Sequence, residues 1–394
     1  MYYKLRNIIA LEESDFFRTY KRLRILVERG EGCYLITNNG DKLLDMFGGL
    51  AVNVLGYNHP EINAAIEAQI KKYIHVSNYF YQEKQIELAS KLIGATGMKK
   101  VFFSNSGTES VEAAIKLTRK YFKGTEKKNL ISFTNAFHGR TLGALSLTAK
   151  AKYKEDFGPL LTNTKTLPFN SVEELRKNID ENTAAIFVEC IQGEGGVNVV
   201  TEEFIKELIT LRNKFEFLIV ADEIQSGVGR TGKFCAYENF GLIPDMVVMA
   251  KGIGGGLPLG ALIGDERVED VFGYGEHGST FGGNPVACAC GAAVINVLQA
   301  GLYANIMTQS SYLQTELRKL EKDLPGKIKD VRGIGLMLGI ELAFDGAPVV
   351  QKMIDNKVFV NCTNRNVIRL LPPLILSAGD SELFINEFRK VLSA

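Results

Sequence analysis

Disulfide and zinc chemistry are the first things this chain lacks. Its six cysteines (Cys33, Cys190, Cys235, Cys288, Cys290 and Cys362) are scattered, form no C-x-x-C pair, and are accompanied by only four histidines. That pattern fits reduced thiols and argues against a disulfide framework or a metal site. No charge of one sign dominates, because 46 Lys and Arg face 45 Asp and Glu. So balanced a chain offers no global field to nucleic acid or to an anionic membrane. No apolar run approaches bilayer-spanning length. The N-terminus, Met1-Tyr2-Tyr3-Lys4-Leu5-Arg6, reaches the acidic Glu12-Glu13 without the apolar core of an export signal. Repeats, low-complexity tracts and long Pro/Ser linkers are lacking too. The expectation left standing is a cytoplasmic α/β enzyme.

What is present supports that class. Val101-Phe102-Phe103, Leu130-Ile131-Ser132-Phe133, Ala185-Ile186-Phe187-Val188, Leu218-Ile219-Val220 and Met246-Val247-Val248-Met249 are nearly continuous apolar runs. Strands covered on both faces read this way. Between them, Val111, Ala114, Ile115, Thr118 and Tyr121 share one helical face, as do Phe204, Leu208, Leu211 and Phe215. Strand-helix alternation predicts a mostly parallel sheet with helices on both faces, and ligands beyond the carboxyl ends of its strands. After Ala292 come helical segments, a strand-like stretch from Val331 to Glu341 and the run Val367-Ile368-Arg369-Leu370. The chain of 394 residues accommodates a large domain over 49–289 and a smaller α+β domain assembled from 1–48 and 290–394.

Three features carry chemistry. Ser104-Asn105-Ser106-Gly107-Thr108-Glu109 follows a strand and opens a helix. Ser106 and Glu109 match a capping box, which needs no ligand; the same helix N-terminus also suits phosphate. Asp222 ends a buried strand, where a carboxylate either caps the next turn or holds a protonated ring nitrogen. Lys251 follows another apolar strand and precedes Gly252-Ile253-Gly254-Gly255-Gly256. Partial desolvation there lowers an amine's pKa and makes it nucleophilic. A phosphate seat, an acid and a lysine at the carboxyl ends of three strands of one sheet are the parts pyridoxal phosphate requires. A competing reading is a nucleotide-binding protein that uses Gly227-Val228-Gly229-Arg230-Thr231-Gly232-Lys233. That loop fits G-x-G-x-x-G and most of a Walker A motif, but Phe234 stands where a magnesium-binding hydroxyl belongs. The loop also begins several residues beyond its strand.

From about Phe16 to the C-terminus the chain resembles the class III aminotransferases of the acetylornithine/ornithine type. The matching stretches are Ala51-Val52-Asn53 with Leu55-Gly56, Ser106-Gly107-Thr108-Glu109, Phe137-His138-Gly139-Arg140-Thr141, Ile191-Gln192-Gly193-Glu194-Gly195-Gly196, Asp222-Glu223-Ile224-Gln225, Ala250-Lys251-Gly252, Ser279-Thr280-Phe281-Gly282-Gly283-Asn284-Pro285 and Val367-Ile368-Arg369-Leu370-Leu371-Pro372-Pro373. The resemblance implies a fold-type-I, pyridoxal-phosphate-dependent enzyme with its cofactor bound covalently to Lys251. Gly107 and Thr108 would bind the phosphate through backbone N–H and hydroxyl, and Phe137 would stack on the ring. Asp222 would pair with the ring nitrogen and Gln225 with the ring hydroxyl. Thr280 would reach the phosphate of a neighbouring subunit in a homodimer with shared active sites, and Ser279 would lie beside the substrate. Arg369 would bind glutamate's near carboxylate and Arg140 the distal one, while Glu194 would cover Arg369 until glutamate displaces it.

Substrate choice turns on one departure from the family. Ornithine-specific relatives place a Tyr two residues before Ala-Val-Asn, and here Gly49-Leu50 precedes Ala51. That favours an acylated donor, N2-acetylornithine, with 2-oxoglutarate as acceptor, as in arginine biosynthesis. Ornithine, succinylated donors and 4-aminobutyrate are the alternatives. Cys190 stands where the family usually has Pro, so a local backbone difference is expected there.

Overall fold

The computed structural model describes residues 2–393. Its central sheet has seven strands in the order Lys100–Ser104, Gly260–Gly264, Met246–Met249, Leu218–Asp222, Thr183–Val188, Asn129–Phe133 and Thr164–Leu167. From Met246–Met249 onward the neighbours are parallel, whereas Gly260–Gly264 runs antiparallel to both strands beside it. All five apolar runs singled out in the sequence lie in this sheet. Two strands did not announce themselves. Gly260–Gly264 is bounded by glycines, and Thr164–Leu167 is a polar edge strand. Because the antiparallel strand intervenes, Lys100–Ser104 points the same way as Met246–Met249. The carboxyl ends of Lys100–Ser104, Leu218–Asp222 and Met246–Met249 therefore share one edge of the sheet.

Helices cover the sheet through the faces their periodicity predicts. In Gly107–Tyr121, Val111, Ala114, Ile115 and Thr118 are buried; in Glu202–Phe215, Phe204, Leu208 and Leu211 are. Each large apolar side chain so buried contributes about 1.5–3 kcal/mol. The result is the α/β architecture expected.

The terminal segments build smaller sheets. Val27–Glu31, Tyr34–Thr37 and Lys42–Asp45 form a meander that Val358–Phe359 extends in parallel with Lys42–Asp45. The stretch from Val331 to Glu341 is not one strand. It belongs to a hairpin, Ile328–Ile334 against Met337–Leu342, turned at Gly335 with φ of 61°. Val367–Leu370 pairs with Met337–Leu342 on one side and Asn361–Thr363 on the other.

The helical run Pro285–Asp323 is, by length and composition, long and apolar enough to cross a membrane. Its apolar stretch is 61% buried within the protein, and nearly every residue of Pro285–Val297 is enclosed. The run is a core helix, apolar because protein surrounds it.

Candidate active site

A cavity of about 440 Å³ opens at the shared strand edge, with Gly107, Thr108, Phe137, Arg140, Glu194, Asp222, Gln225 and Lys251 in its wall. Eight of the eleven residues proposed from sequence line it. Arg369 lies behind the wall, and Ser279 and Thr280 stand outside it.

The phosphate-type end is built first by a helix start. Ser106, extended at φ −154° and ψ 163°, caps Gly107–Tyr121 by accepting the Glu109 N–H at 3.3 Å. The Glu109 carboxylate reaches back to the Asn105 N–H at 2.5 Å, one residue earlier than a capping box would place it. The first N–H groups of a helix have no intrahelical acceptor, and here those of Gly107 and Thr108 belong to the cavity wall. A Cβ on Gly107 would sit 2.7 Å from Ile224, so only glycine lets the helix start approach this closely. The Thr108 hydroxyl is otherwise engaged. It accepts the Arg140 and Thr141 N–H groups at 3.2 Å each and lies 2.7 Å from Thr141 Oγ1. Thr141 donates its own proton to Glu112, so Thr108 is the donor to Thr141 and its hydrogen-bonding capacity is full.

The far wall carries the acids. Asp222 Oδ2 lies 2.7 Å from His138 Nδ1, and Asp222 Oδ1 accepts the Ile224 N–H at 3.1 Å. Burial disfavours a charged His138, but the hydrogen bond and charge of Asp222, with the charge of Glu189, outweigh it and raise the imidazole pKa. Glu189 follows the strand Thr183–Val188, accepts the Phe137 N–H at 3.0 Å and lines the same cavity. Burial, aided by the charge of Asp222, pushes its carboxyl up to about 8. Neither His138 nor Glu189 was given a role from sequence. Glu189 comes directly after its strand, at the same sheet edge as Asp222, a signal that was available. His138 had only its neighbour Phe137 to recommend it.

Lys251 adopts a left-handed backbone, φ 50°, a strain of about 1 kcal/mol that non-glycine residues carry mainly at functional sites. Burial lowers its amine to about 8, with Arg369 acting in the same direction and Glu194, Asp222 and Glu189 opposing. A nucleophilic amine is the consequence.

At the other end Arg369, 2% exposed, places Nη1 2.7 Å from Glu194 Oε1 and 3.1 Å from Gln225 Oε1, and Nη2 3.0 Å from Asn361 Oδ1. Its guanidinium also faces the Phe47 ring at 5.4 Å. Burial works against ionised Glu194, yet the charge and hydrogen bond of Arg369 prevail and lower its pKa. Arg140 is exposed and stacks on the Tyr153 ring at 3.9 Å. Ser279 Oγ accepts from Asn105 Nδ2 and the Gly282 N–H, and Thr280 is exposed.

The competing loop, Gly227 to Lys233, is filled by protein. Side chains on Gly229 and Gly232 would strike Leu298 at 2.7 Å and Met307 at 2.3 Å. Arg230 is fully buried and donates to the carbonyls of Leu336 and Pro372. Packed in this way, the loop leaves no room for a nucleotide.

The cavity's chemistry fits pyridoxal phosphate: a glycine cradle at a helix start, a buried acid fixed by an imidazole, an aromatic wall and a desolvated lysine. Fold and cavity together define a fold-type-I, pyridoxal-phosphate-dependent transferase. Residues 16–392 match the family model described as aminotransferase class III. The chain is 40% identical to the acetylornithine aminotransferase of Methanocaldococcus jannaschii, over 98% of each chain. It is 43% identical to that of Aquifex aeolicus, over 95% of this chain and 98% of that one. Among solved structures, an ornithine aminotransferase from Toxoplasma gondii with pyridoxal phosphate at partial occupancy in its active site superimposes with a TM-score of 0.94, at 28% identity, covering 99% of this chain and 94% of that one. The chain belongs to the class III aminotransferases and is a pyridoxal-phosphate-dependent enzyme.

Proposed function

We propose that this enzyme transfers the terminal amino group of N2-acetylornithine to 2-oxoglutarate, giving the semialdehyde and glutamate by a ping-pong route of the arginine-biosynthetic type. The observation that carries the reading is the 2.7 Å pair between Arg369 and Glu194 beside the cavity that holds Lys251. One site must accept glutamate, which has a carboxylate next to its reacting amine, and a terminal amine, which has none there. An arginine covered by a displaceable carboxylate serves both. Two observations favour the acetylated donor. Relatives that act on acetylornithine are 40% and 43% identical, against 28% for the ornithine enzyme. Gly49-Leu50 also supplies no hydroxyl where ornithine-specific relatives place a Tyr.

Pyridoxal phosphate, when bound, supplies an electron sink for the bond cleaved at the substrate's amino-bearing carbon. The N–H groups of Gly107 and Thr108 would hold its phosphate, and the Thr108 hydroxyl would keep the Phe137–Thr141 loop against the helix start. Phe137 would lie on the ring face, Asp222 would retain a proton on the ring nitrogen, and Gln225 would bond the ring hydroxyl. Lys251 would anchor the cofactor and carry a proton to and from the substrate carbon. Arg369 would fork onto glutamate's near carboxylate and Arg140 onto the distal one, with Ser279 beside the substrate. Thr280, exposed and off the cavity wall, would serve the phosphate of a second copy in a cytoplasmic homodimer. The working division is a large domain over 49–289 and a small one from 1–48 and 290–394; the pairing of Val358–Phe359 with Lys42–Asp45 supports the joint origin of the latter.

The test is the visible spectrum of the purified enzyme with N2-acetylornithine and, separately, with ornithine. Bleaching of the yellow form chiefly by the acetylated donor is expected. Conversion by ornithine alone would overturn the donor assignment, and a protein that never turns yellow with added pyridoxal phosphate would overturn the residue roles.

A further inference from the structure

The backbone beneath Glu194 is held in an unusual way. Three successive carbonyls of the Glu194-Gly195-Gly196 turn accept hydrogen bonds from side chains. Glu194 O accepts from Lys150 Nζ and Thr363 Oγ1, each at 2.9 Å. Gly195 O accepts from Asn198 Nδ2 at 3.0 Å and Asn364 Nδ2 at 3.4 Å. Gly196 O accepts from Arg332 Nε at 2.9 Å. Thr363 is buried and sits on the short strand Asn361–Thr363, paired in register with Val367–Leu370 so that Asn361 opposes Arg369. Residues two apart on a strand share a face. One three-residue strand therefore grips both members of the ion pair, Asn361 on the Arg369 guanidinium at 3.0 Å and Thr363 on the Glu194 backbone.

We propose that Thr363 and Lys150 are positioning residues that immobilise the Glu194 backbone, so that only its carboxylate leaves when a substrate carboxylate takes Arg369. The inference rests on the reading of Glu194 as a displaceable cover. Covering Arg369 requires the carboxylate to return to one place after each half-reaction. A backbone free to drift would spread it over several positions and weaken the pair without deleting either charge. Two donors on a single carbonyl, arriving from segments far apart in the chain, prevent that drift. The hydroxyl of Thr363 is the decisive group, since Val in its place preserves shape and strand propensity.

The experiment compares Thr363→Val, Thr363→Ser, Lys150→Met and Glu194→Ala holoenzymes in single-turnover half-reactions with N2-acetylornithine and with glutamate. Binding of glutarate, a dicarboxylate that cannot react, is measured alongside. Thr363→Val should lower kcat/KM for the terminal-amine donor about fivefold while leaving glutamate within about twofold, the scale of one net hydrogen bond. It should also tighten glutarate binding, because a loosened cover is easier to displace. Thr363→Ser should restore both, and Lys150→Met should move both in the direction of Thr363→Val. Equal losses with both donors, or unchanged or weakened glutarate binding, would overturn the proposal. Glu194→Ala separates the two layers. If it shifts the donor ratio and Thr363→Val does not, the positioning role is wrong and the cover stands; if Glu194→Ala shifts nothing, the cover itself is wrong and the inference falls with it.

Discussion

His138 Nδ1 and Asp222 Oδ2 stand 2.7 Å apart with both side chains sealed from solvent, at 0% and 3% exposure. Against the opposing effect of burial, the hydrogen bond and charge of Asp222, with the charge of Glu189, raise the imidazole pKa. Glu189 adds a second acid to the same group, and its charge is the one the cluster tolerates least.

The apoprotein should therefore lose stability as pH rises. His138 titrates above its ordinary 6.5 in the fold; its contribution is complete below the unfolded value and disappears as pH climbs through the folded one. Glu189 titrates at about 8 instead of 4.5, so between those values the unfolded chain releases a proton that the fold retains, and stability again falls with pH. Urea denaturation from about pH 5 to about pH 8, below the titration of Lys251, should show this decline, and Glu189→Gln should flatten it. A stability that climbs across the window would refute the assignment.

Lys251 should behave as an unusually acidic lysine in the apoprotein. With burial holding it near 8 rather than 10.5, its carbamylation by cyanate should level off just above pH 8, while surface lysines keep accelerating. Peptide mapping after brief labelling at a series of pH values reads this directly. Lys251→Ala should lose the yellow colour on gel filtration and at least about 10³-fold in transamination, the scale of a lost proton-transfer group.

Gly107→Ala tests the helix start without touching a charge. The added methyl meets three Ile224 carbons at 2.7–3.0 Å, and overpacking of this kind costs about 1–3 kcal/mol. Cofactor affinity should drop about tenfold or more, measured by fluorescence titration of the apoprotein. Adding Ile224→Ala should recover much of it. A double variant as weak as the single one would mean that the glycine serves some purpose other than close approach.

How much of this was readable in advance depended on what each element is made of. Strands buried on both faces, such as Thr183–Val188 and Leu218–Asp222, carry nearly continuous apolar runs and declare themselves. Gly260–Gly264 has little side chain with which to signal, and the polar Thr164–Leu167 lies at the sheet edge. Asp222 and Lys251 were legible because each ends such a strand. The partnership of His138 with Asp222 spans 84 positions, and Asn361 reaches Arg369 only because a three-residue strand pairs in register. Neither leaves a local pattern. The Gly227 loop shows the opposite failure, a motif whose glycines exist to let Leu298 and Met307 pack rather than to cradle a phosphate.

Glu194→Ala is the most discriminating substitution for the chemistry. Arg369 would keep Gln225 and Asn361, both neutral, and would become a buried cation with no counter-charge. Stripping one partner from such a pair costs about 3–5 kcal/mol. A glutamate carboxylate replaces the missing charge as it binds, so that half-reaction should stay within about threefold. A terminal-amine donor brings no anion to that end. Its lone carboxylate would instead be drawn to Arg369 in the wrong direction, with the reacting amine away from Lys251. The terminal-amine half-reaction should fall about tenfold to a hundredfold, and that donor should inhibit the glutamate half-reaction competitively, because it now binds reversed. Single-turnover absorbance with each donor, followed by mixed-donor inhibition, tests both consequences. Equal losses in the two half-reactions would mean that Glu194 organises the cavity generally and does not choose between substrates.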